Sequence, residues 1–174
     1  MKSSVYQLKS QDIVLLLKII SMNDPVWNQK PTAAALGMSQ SELSESVRRS
    51  KYAGLLDPTG KTVMKHALLQ LLEHGIAYVF PQRPGSLVRG VPTAHSSPPL
   101  NKLIQSGELY VWPYAKGKTK GLAIQPLYPS VPEAAEQDTL LHELLSLTDT
   151  LRVGKVREKE LAVIELQKRF GIAG

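Results

Sequence analysis

The sequence contains no cysteine. This absence excludes disulfide bonds, thiolate metal ligands, iron–sulfur clusters and a cysteine nucleophile, and it fits a reducing cytoplasm, where we expect the protein to reside. Long apolar runs are absent as well. The longest run, Ile13–Ile20, is interrupted by Lys18 and is far shorter than the roughly 20 residues that a membrane span needs. The sequence therefore predicts neither a disulfide scaffold nor a membrane protein.

Patterns typical of metal binding and catalysis are also missing. The four histidines show no zinc-ligand spacing: they are His66, His74, His95 and His142. Gly60-Lys61-Thr62 resembles the end of a nucleotide-binding P-loop, but Leu55 stands where that motif needs its first glycine. The G-x-S-x-G motif of many hydrolases does not occur. We therefore expect no metal, no cofactor and no enzyme active site.

Positive charge is concentrated in the middle of the chain, whose formal net charge is +6. Residues 1–47 carry four basic and four acidic side chains, residues 48–120 carry eleven and three, and residues 121–174 carry six and eight. A basic stretch of this kind is typical of proteins that bind nucleic-acid phosphates, although a basic surface also favours solubility. The charge distribution is compatible with a nucleic-acid partner for the central region.

The first half of the chain predicts four helices, at Leu8–Met22, Thr32–Leu36, Ser39–Ala53 and Lys61–His74. Ser10 is a candidate cap for the first helix, and Asn23-Asp24-Pro25 ends it. Gly54 and Gly75 are the stop signals of the third and fourth helices.

The segment Thr32–Ser50 has the residue pattern of a helix-turn-helix. Ala33 is a small residue at which a second helix can pack closely, and Gly37, four positions later, tolerates the positive φ of a tight turn. Ser39 and Glu42 form a capping box that starts the second helix. Apolar residues occupy the remaining positions of the motif: Leu36, Met38, Leu43 and Val47. The alternative interpretation is an ordinary pair of packed helices.

The second helix of this motif places short hydrogen-bonding groups near its N-terminus and cationic groups further along. Such groups suit base edges in the major groove and the phosphates beside it. Glu45 is unusual in this position, although a carboxylate can accept a hydrogen bond from cytosine N4. The candidate DNA-binding residues of the helix are Ser39, Gln40, Ser41, Ser44, Glu45, Arg48, Arg49 and Lys51, and Lys61 is a further candidate for a phosphate contact.

The residues from Ala33 to Ser44 follow the pattern A-x-x-L-G-x-S-x-S-x-[VL]-S. In this pattern the chain resembles the winged helix-turn-helix regulators of bacteria, of the MarR and GntR kind. The resemblance implies a β-hairpin wing that carries Arg83 and Arg89, and it implies that DNA readout falls to Gln40, Ser41, Ser44 and Arg48. The helix predicted at Lys61–His74 departs from the family, because it lies between the second helix of the motif and that wing.

Two β-hairpins are expected in the centre of the chain. The first joins Ile76–Phe80 to Leu87–Val91 through a turn rich in proline and glycine, and it is the predicted wing. The second joins Leu109–Trp112 to Leu122–Gln125 around a loop with three lysines, Lys116, Lys118 and Lys120.

The segment Gly90–Pro99 between these hairpins is flanked by proline and rich in hydroxyl groups around His95. One interpretation is a ligand or partner pocket with His95 as a polar contact. The other is a loop whose side chains satisfy its own backbone. An enzyme hypothesis would rest on this loop alone, without the other parts of a catalytic site.

The C-terminal region predicts two helices, Glu133–Leu151 and Val156–Phe170, each with an apolar and a charged face. We expect a DNA-binding domain over residues 1–128 and a helical arm over residues 129–174. Apolar stripes on the arm serve either packing within one chain or dimerisation, which would double the DNA readout. The stripes are Leu140, Leu141, Leu144, Leu147 and Leu151 in the first helix and Val156, Val163, Ile164, Leu166 and Phe170 in the second.

The sequence as a whole predicts a mainly α fold with small β-hairpins (α+β), namely a winged helix-turn-helix with an appended C-terminal helical arm. The predicted function is sequence-specific binding of double-stranded DNA by a cytoplasmic, homodimeric transcription regulator that places the Ser39–Ala53 helix in the major groove. The alternative is a protein-interaction module or an antitoxin-like adaptor on the same fold, with a protein partner in place of DNA.

Overall fold

The computed structural model describes residues 6–172 of the chain. Within this range it has an α+β fold of eight α-helices and three short strands, which confirms the predicted mixed class. The helices are α1 (Ser10–Met22), α2 (Gln29–Leu36), α3 (Gln40–Tyr52), α4 (Lys65–His74), α5 (Ile76–Val79), α6 (Val131–Glu136), α7 (Thr139–Val153) and α8 (Val156–Phe170). The strands are β1 (Leu87–Pro92), β2 (Tyr110–Pro113) and β3 (Thr119–Ala123), and 3-10 helices at Ala94–Ser96 and Leu100–Lys102 lie between β1 and β2.

Helix α1 lies in the core. The five consecutive side chains from Ile13 to Leu17 are fully buried, as expected for a helix that is apolar on nearly all sides. Ser10, the predicted cap, is instead the first helical residue. The N-cap is Lys9, whose backbone N–H donates to the Asp12 carboxylate at 2.8 Å. A carboxylate in the first turn thus satisfies the N–H of the N-cap residue, and it also interacts favourably with the helix dipole.

Helices α2 and α3 are joined by a tight turn at Gly37. Gly37 has a φ of 63°, the left-handed conformation predicted for it. The predicted capping box of α3 is confirmed: the Ser39 hydroxyl accepts from the N–H of Glu42 at 3.0 Å, and the Glu42 carboxylate accepts from the N–H of Ser39 at 3.3 Å. Helix α2 begins at Gln29, earlier than predicted, because Pro31 is tolerated in the first turn of a helix.

A short hairpin separates α3 from α4, where the sequence predicted a helix that starts at Lys61. Leu56 and Val63 form an antiparallel bridge, and the Asp57 carboxylate accepts from the N–H groups of Lys61 and Thr62, both at 2.9 Å. The prediction of helix over residues 61–64 was wrong because this side chain holds the two amides in a turn, in competition with helix formation. Residues 55–64 are called the 55–64 hairpin below.

Residues 76–80 were predicted as a strand, and this prediction is wrong. Helix α5 occupies Ile76–Val79 and follows α4 directly after Gly75. Ile76 is buried in the core, whereas Tyr78 is exposed. The β-branched and aromatic composition of the segment favours a strand only where sheet neighbours are available. The predicted wing between Ile76–Phe80 and Leu87–Val91 therefore does not form.

The three strands close on one another to form a small barrel. Strand β1 pairs antiparallel with β2 through residues 90–92 and with β3 through residues 87–90. Strands β2 and β3 pair in parallel, with Tyr110 opposite Leu122. The predicted hairpin between Leu109–Trp112 and Leu122–Gln125 is therefore wrong. Strand β2 covers most of the first segment, and only the last two residues of β3 fall in the second, but the antiparallel partner of each strand is β1.

Two glycines allow the backbones of this barrel to approach closely. A Cβ atom at Gly90 would lie 1.9 Å from the carbonyl oxygen of Trp112, and a Cβ atom at Gly117 would lie 2.3 Å from the carbonyl oxygen of Gly90. Both distances are far inside van der Waals contact with backbone atoms, so any side chain at either position would displace a strand.

A buried polar network joins the barrel to α7. The Asp149 carboxylate accepts from the Thr93 hydroxyl at 2.7 Å and from the Trp112 indole N–H at 2.6 Å. Its other oxygen lies 2.9 Å from Nη1 of Arg152, which also donates to the carbonyl oxygen of Gln125. The pairing and the hydrogen bonds offset the cost of burying both charges.

Helices α7 and α8, which were predicted as an arm, belong to the same hydrophobic cluster as α1 and α3. Lys18 of α1 also forms an ion pair of 2.8 Å with Asp138, the N-cap of α7. The buried members of the predicted apolar stripes are Leu141, Leu144, Leu147, Leu151, Leu166 and Phe170, whereas Val156 and Ile164 are exposed. Packing within the chain thus accounts for most of the first stripe and for Leu166 and Phe170 of the second.

Candidate nucleic-acid interface

Helix α3 has one buried face and one exposed face. Leu43 and Val47 point into the core, and the opposite side of the helix is open to solvent. Spacings of three and four residues place side chains on one helical face. The predicted DNA-binding residues on the exposed side are Gln40, Ser41, Ser44, Arg48 and Lys51. The structure therefore brings these five candidates together on one surface.

Arg49 was predicted to lie outside on this helix, and that prediction is wrong. Its side chain is 5% exposed, and its guanidinium group donates to the Asp12 carboxylate of α1 at 2.9 Å and 2.8 Å. The Ser46 hydroxyl donates to the same carboxylate. Position 49 follows position 46 by nearly one helical turn, so both residues face α1. Arg49 is a structural link between two helices and is no longer a candidate for DNA contact.

Arg48 and Glu45 form a surface ion pair on the exposed face. Nη2 of Arg48 lies 2.6 Å from the Glu45 carboxylate, and the two side chains are 54% and 38% exposed. Ion pairs this open to water contribute little stability, so a phosphate can compete with Glu45 for the guanidinium group. The pair leaves Arg48 available for binding but places a negative charge beside it.

The N-terminus of α3 is bound to the segment that precedes α6. The Tyr128 hydroxyl donates to the Glu42 carboxylate at 2.7 Å. This hydrogen bond, followed by the N–H of Ser39, lowers the pKa of Glu42. The same carboxylate raises the pKa of Tyr128 to about 12, so the tyrosine remains a hydrogen-bond donor at neutral pH. Ser39, a candidate for DNA contact, is exposed, but its hydroxyl is engaged as the predicted cap of α3.

The N-terminus of α2 adjoins the exposed face of α3, which the sequence analysis missed. The Ser44 hydroxyl donates to the Gln29 side-chain carbonyl at 2.8 Å, and Lys30 beside it is exposed. Among the described residues no side chain caps α2 at Asn28. Free first-turn amides and a lysine form a surface that attracts anions. A correct prediction that α2 begins at Gln29 would have identified these residues as neighbours of α3. The sequence pattern instead placed the start of the helix at Thr32.

Lys61 is held against the core. Its ammonium group donates to the carbonyl oxygen of Trp27 and lies 4.8 Å from the centre of that indole ring. The Trp27 indole N–H in turn donates to the carbonyl oxygen of Lys61 at 2.9 Å. The cation thus anchors the 55–64 hairpin, and the structure does not add it to the exposed face of α3.

Arg83 and Arg89, the candidates of the predicted wing, are exposed but belong to the barrel region. Arg89 lies opposite Lys120 across β1 and β3. The barrel packs on α7 through Asp149, and α7 packs on α1, whereas α3 packs on α1 and α2. The two arginines are therefore carried by a different part of the fold from the face of α3.

The segment Gly90–Pro99 is largely buried, and its side chains bond within the fold. Nε2 of His95 lies 2.8 Å from the carbonyl oxygen of Glu108, and the Ser97 hydroxyl lies 3.3 Å from Nε2 of His142. Nδ1 of His95 is buried and has no hydrogen-bond partner among residues 6–172. These contacts favour the interpretation that the segment satisfies its own backbone and that of its neighbours.

Two further properties concern the described residues as a whole. In residues 6–172 no group of three or more histidine, acidic or cysteine side chains is arranged to hold a metal ion. Over the same range, no helix combines the length and the apolar character that crossing a bilayer requires.

Comparison of the chain with protein-family models, with curated proteins and with solved structures finds no match.

Proposed function

We propose that the protein binds double-stranded DNA through the exposed face of α3 and acts as a transcription regulator without enzymatic activity. The observation that carries this proposal is the placement of Gln40, Ser41, Ser44, Arg48 and Lys51 on one open surface, directly after the tight turn at Gly37. An α-helix fits into the major groove, where polar side chains contact base edges and cations contact phosphates.

Each part of this surface has a distinct role in the proposed complex. Gln40 and Ser41, near the N-terminus of α3, contact base edges. Arg48 and Lys51 bind phosphates beside the groove, and the N-terminus of α2 with Lys30 binds the neighbouring backbone through its amides and its ammonium group. Base contacts then determine which sequence is bound, and phosphate contacts determine the position of the protein on the duplex.

We further propose that the fold is a winged helix-turn-helix in which the 55–64 hairpin is the wing. This hairpin follows α3 directly. The winged helix-turn-helix regulators that the chain resembles in sequence have their wing at the same position. Asp57 stiffens the hairpin through two backbone N–H groups, and Pro58 and Thr59 lie exposed at its tip. The assignment removes the discrepancy noted in the sequence, because no helix then separates α3 from its wing.

A homodimer in the cytoplasm remains part of the proposal, because a two-fold protein contacts two half-sites and doubles its readout. Since most of the leucine stripe is buried within the chain, the C-terminal helices offer mainly Val156 and Ile164 for such a contact.

A protein-interaction module is the second candidate function. The observation that favours it is the exposure of Tyr78 and Val79 on α5, at 84% and 50% respectively. Large apolar side chains that are adjacent and exposed are typical of surfaces that bind a partner protein. This hypothesis predicts a protein partner and no affinity for DNA.

Salt-dependent binding to duplexes selected from a random pool tests the first proposal. Replacing Arg48 and Lys51 together by alanine removes two phosphate contacts, so the slope of log K against log salt should fall in magnitude by about 2. The control replaces Lys102 and Arg157, which are exposed elsewhere, and so changes the net charge equally. Equal effects of the two double variants, or no duplex enriched from the pool, would count against the proposal.

A further inference from the structure

A cavity of about 540 Å³ opens at the C-terminal end of α3, between this helix, the 55–64 hairpin and the residue Tyr6. Most of its wall is apolar, with contributions from Leu56, Pro58 and Met64. The volume is in the range of small-molecule sites, which are mostly apolar with a few polar groups that orient the ligand.

An aromatic pair forms one wall of this cavity. The rings of Tyr6 and Tyr52 are stacked, with centroids 4.2 Å apart and an angle of 22° between their planes. Tyr52 is nonetheless 70% exposed and Tyr6 is 41% exposed. Exposed aromatic faces of this kind attract a further flat ring, because stacking removes apolar surface from water.

The charged groups that line the cavity favour an anion. Arg48 and Lys51 both line it, and Asp57, the one acidic residue that lines it within the described range 6–172, is already engaged. Its carboxylate accepts from the N–H groups of Lys61 and Thr62 and from the Thr59 hydroxyl, at 2.7–2.9 Å. Glu45 lies beside Arg48, but their exposed ion pair is weak enough for a ligand anion to replace it.

We propose that this cavity binds a small molecule that combines a flat ring with an anionic group. The ring stacks on Tyr52, and the anionic group pairs with Arg48 and Lys51. An aromatic carboxylate and a mononucleotide share this chemistry. Arg48 belongs both to the cavity and to the exposed face of α3, so an occupied cavity opposes DNA binding. This last step rests on the proposed DNA-binding function, whereas the ligand site does not.

Calorimetric titration of the full chain tests the site with three probes: naphthalene carboxylate, adenosine monophosphate and the neutral naphthalene methanol. We expect at least one of the two anionic probes to bind. The probe that binds more tightly shows whether the site prefers an aromatic carboxylate or a mononucleotide. Tyr52→Ala should weaken binding by about tenfold, because stacking on an aromatic side chain is lost, and Tyr52→Phe should retain it. Tyr78→Ala removes an exposed tyrosine that does not line the cavity, so it should leave the affinity for the probe unchanged.

Three outcomes would overturn the site: no binding of either anionic probe, equal binding of the neutral probe, or unchanged affinity in Tyr52→Ala. Competition is measured separately, as displacement of labelled duplex by the probe that binds. Binding of the probe without displacement would overturn the regulatory step alone. A protein that binds the probe but no duplex would refute the proposed function and leave the ligand site standing.

Discussion

Arg48 and Arg49 are neighbours in the sequence, but their side chains have opposite environments. Arg48 lies on the open face of α3, whereas Arg49 is buried against Asp12. The helical period places Arg49 on the same side of α3 as Ser46, but the sequence does not show which carboxylate pairs with the arginine there. An ion pair between residues so distant in the chain follows only from how α1 packs on α3.

The first prediction concerns this buried pair. Arg49→Ala leaves the Asp12 charge buried without its partner, which should lower the free energy of unfolding by about 3–5 kcal/mol. Arg48→Ala removes an exposed side chain and should change it by about 0.5 kcal/mol or less. Urea unfolding of both variants measures the difference. Similar stabilities for the two variants would show that Arg49 is not buried as described.

The second prediction concerns Glu45. Glu45→Gln removes the carboxylate that pairs with Arg48 and the negative charge that would face the phosphates. Duplex affinity should therefore rise by about two- to fivefold at low salt, and the gain should shrink at high salt because exposed charges are screened. Anisotropy titrations at two salt concentrations measure this. A loss of affinity would instead indicate that the carboxylate contacts a base directly.

The third prediction concerns the hydrogen bond from Tyr128 to Glu42. This bond is the largest cause of the lowered pKa of Glu42, whose usual value is 4.5. A carboxylate with a lowered pKa contributes stability above its unfolded-state pKa and loses it as the pH falls through the folded-state value.

Tyr128→Phe should therefore be less stable than the wild type near neutral pH, and the difference should narrow as the pH falls below 4.5 and through the lowered pKa of Glu42. Unfolding at a series of pH values measures it. Tyr114→Phe is the matched control, because Tyr114 is also half-buried against the core and the substitution likewise removes only a hydroxyl group. A gap between wild type and Tyr128→Phe that does not change with pH would contradict the assigned bond.

At the scale of elements, local patterns predicted helices far better than strand pairing. Gly37 and the capping box at Ser39 defined the start of α3 because turn and cap chemistry act between residues close in sequence. The segment Ile76–Phe80 was misassigned because its β-prone side chains have no strand beside them. Strands β2 and β3 run parallel because each of them pairs antiparallel with β1. No local sequence pattern indicates such a three-strand arrangement.

The fourth prediction tests the barrel through its glycines. Gly117→Ala places a Cβ atom against the backbone carbonyl of Gly90 and should lower the free energy of unfolding by about 3 kcal/mol. Gly107→Ala is the matched control, because a Cβ atom there meets nothing within 4 Å. Thermal unfolding distinguishes the two variants. Equal melting temperatures would contradict the close approach of residue 117 to strand β1.

At the scale of the whole molecule, the basic middle of the sequence does not form one surface. Arg48 and Lys51 belong to α3, whereas Arg89 and Lys120 belong to the barrel, which packs on α7. Charge that is contiguous in the sequence is thus distributed between two regions of the fold. The net charge indicated an anionic partner and the residue pattern of Thr32–Ser50 indicated α3, whereas only the three-dimensional arrangement separates the exposed Arg48 from the buried Arg49.

The C-terminal helices also show that a sequence pattern alone does not determine which surfaces come together. Their leucine stripes are equally suited to a dimer interface and to a core, because both bury apolar surface. In the structure Leu144 and Leu147 are fully buried within the chain, in one cluster with α1. The choice between the two uses depends on the shape of the remaining core, which the stripe itself does not encode.

The central claim is that the exposed face of α3 lies against a DNA duplex. Since the chain has no cysteine, Ser41→Cys carries a single thiol to which an iron chelate that cleaves DNA can be attached. On a duplex enriched by the protein, we predict strand cleavage confined to a few neighbouring nucleotides for this variant, and none for Arg157→Cys on α8, labelled in the same way. Binding of the duplex without cleavage from position 41, or cleavage from position 157 instead, would contradict the account.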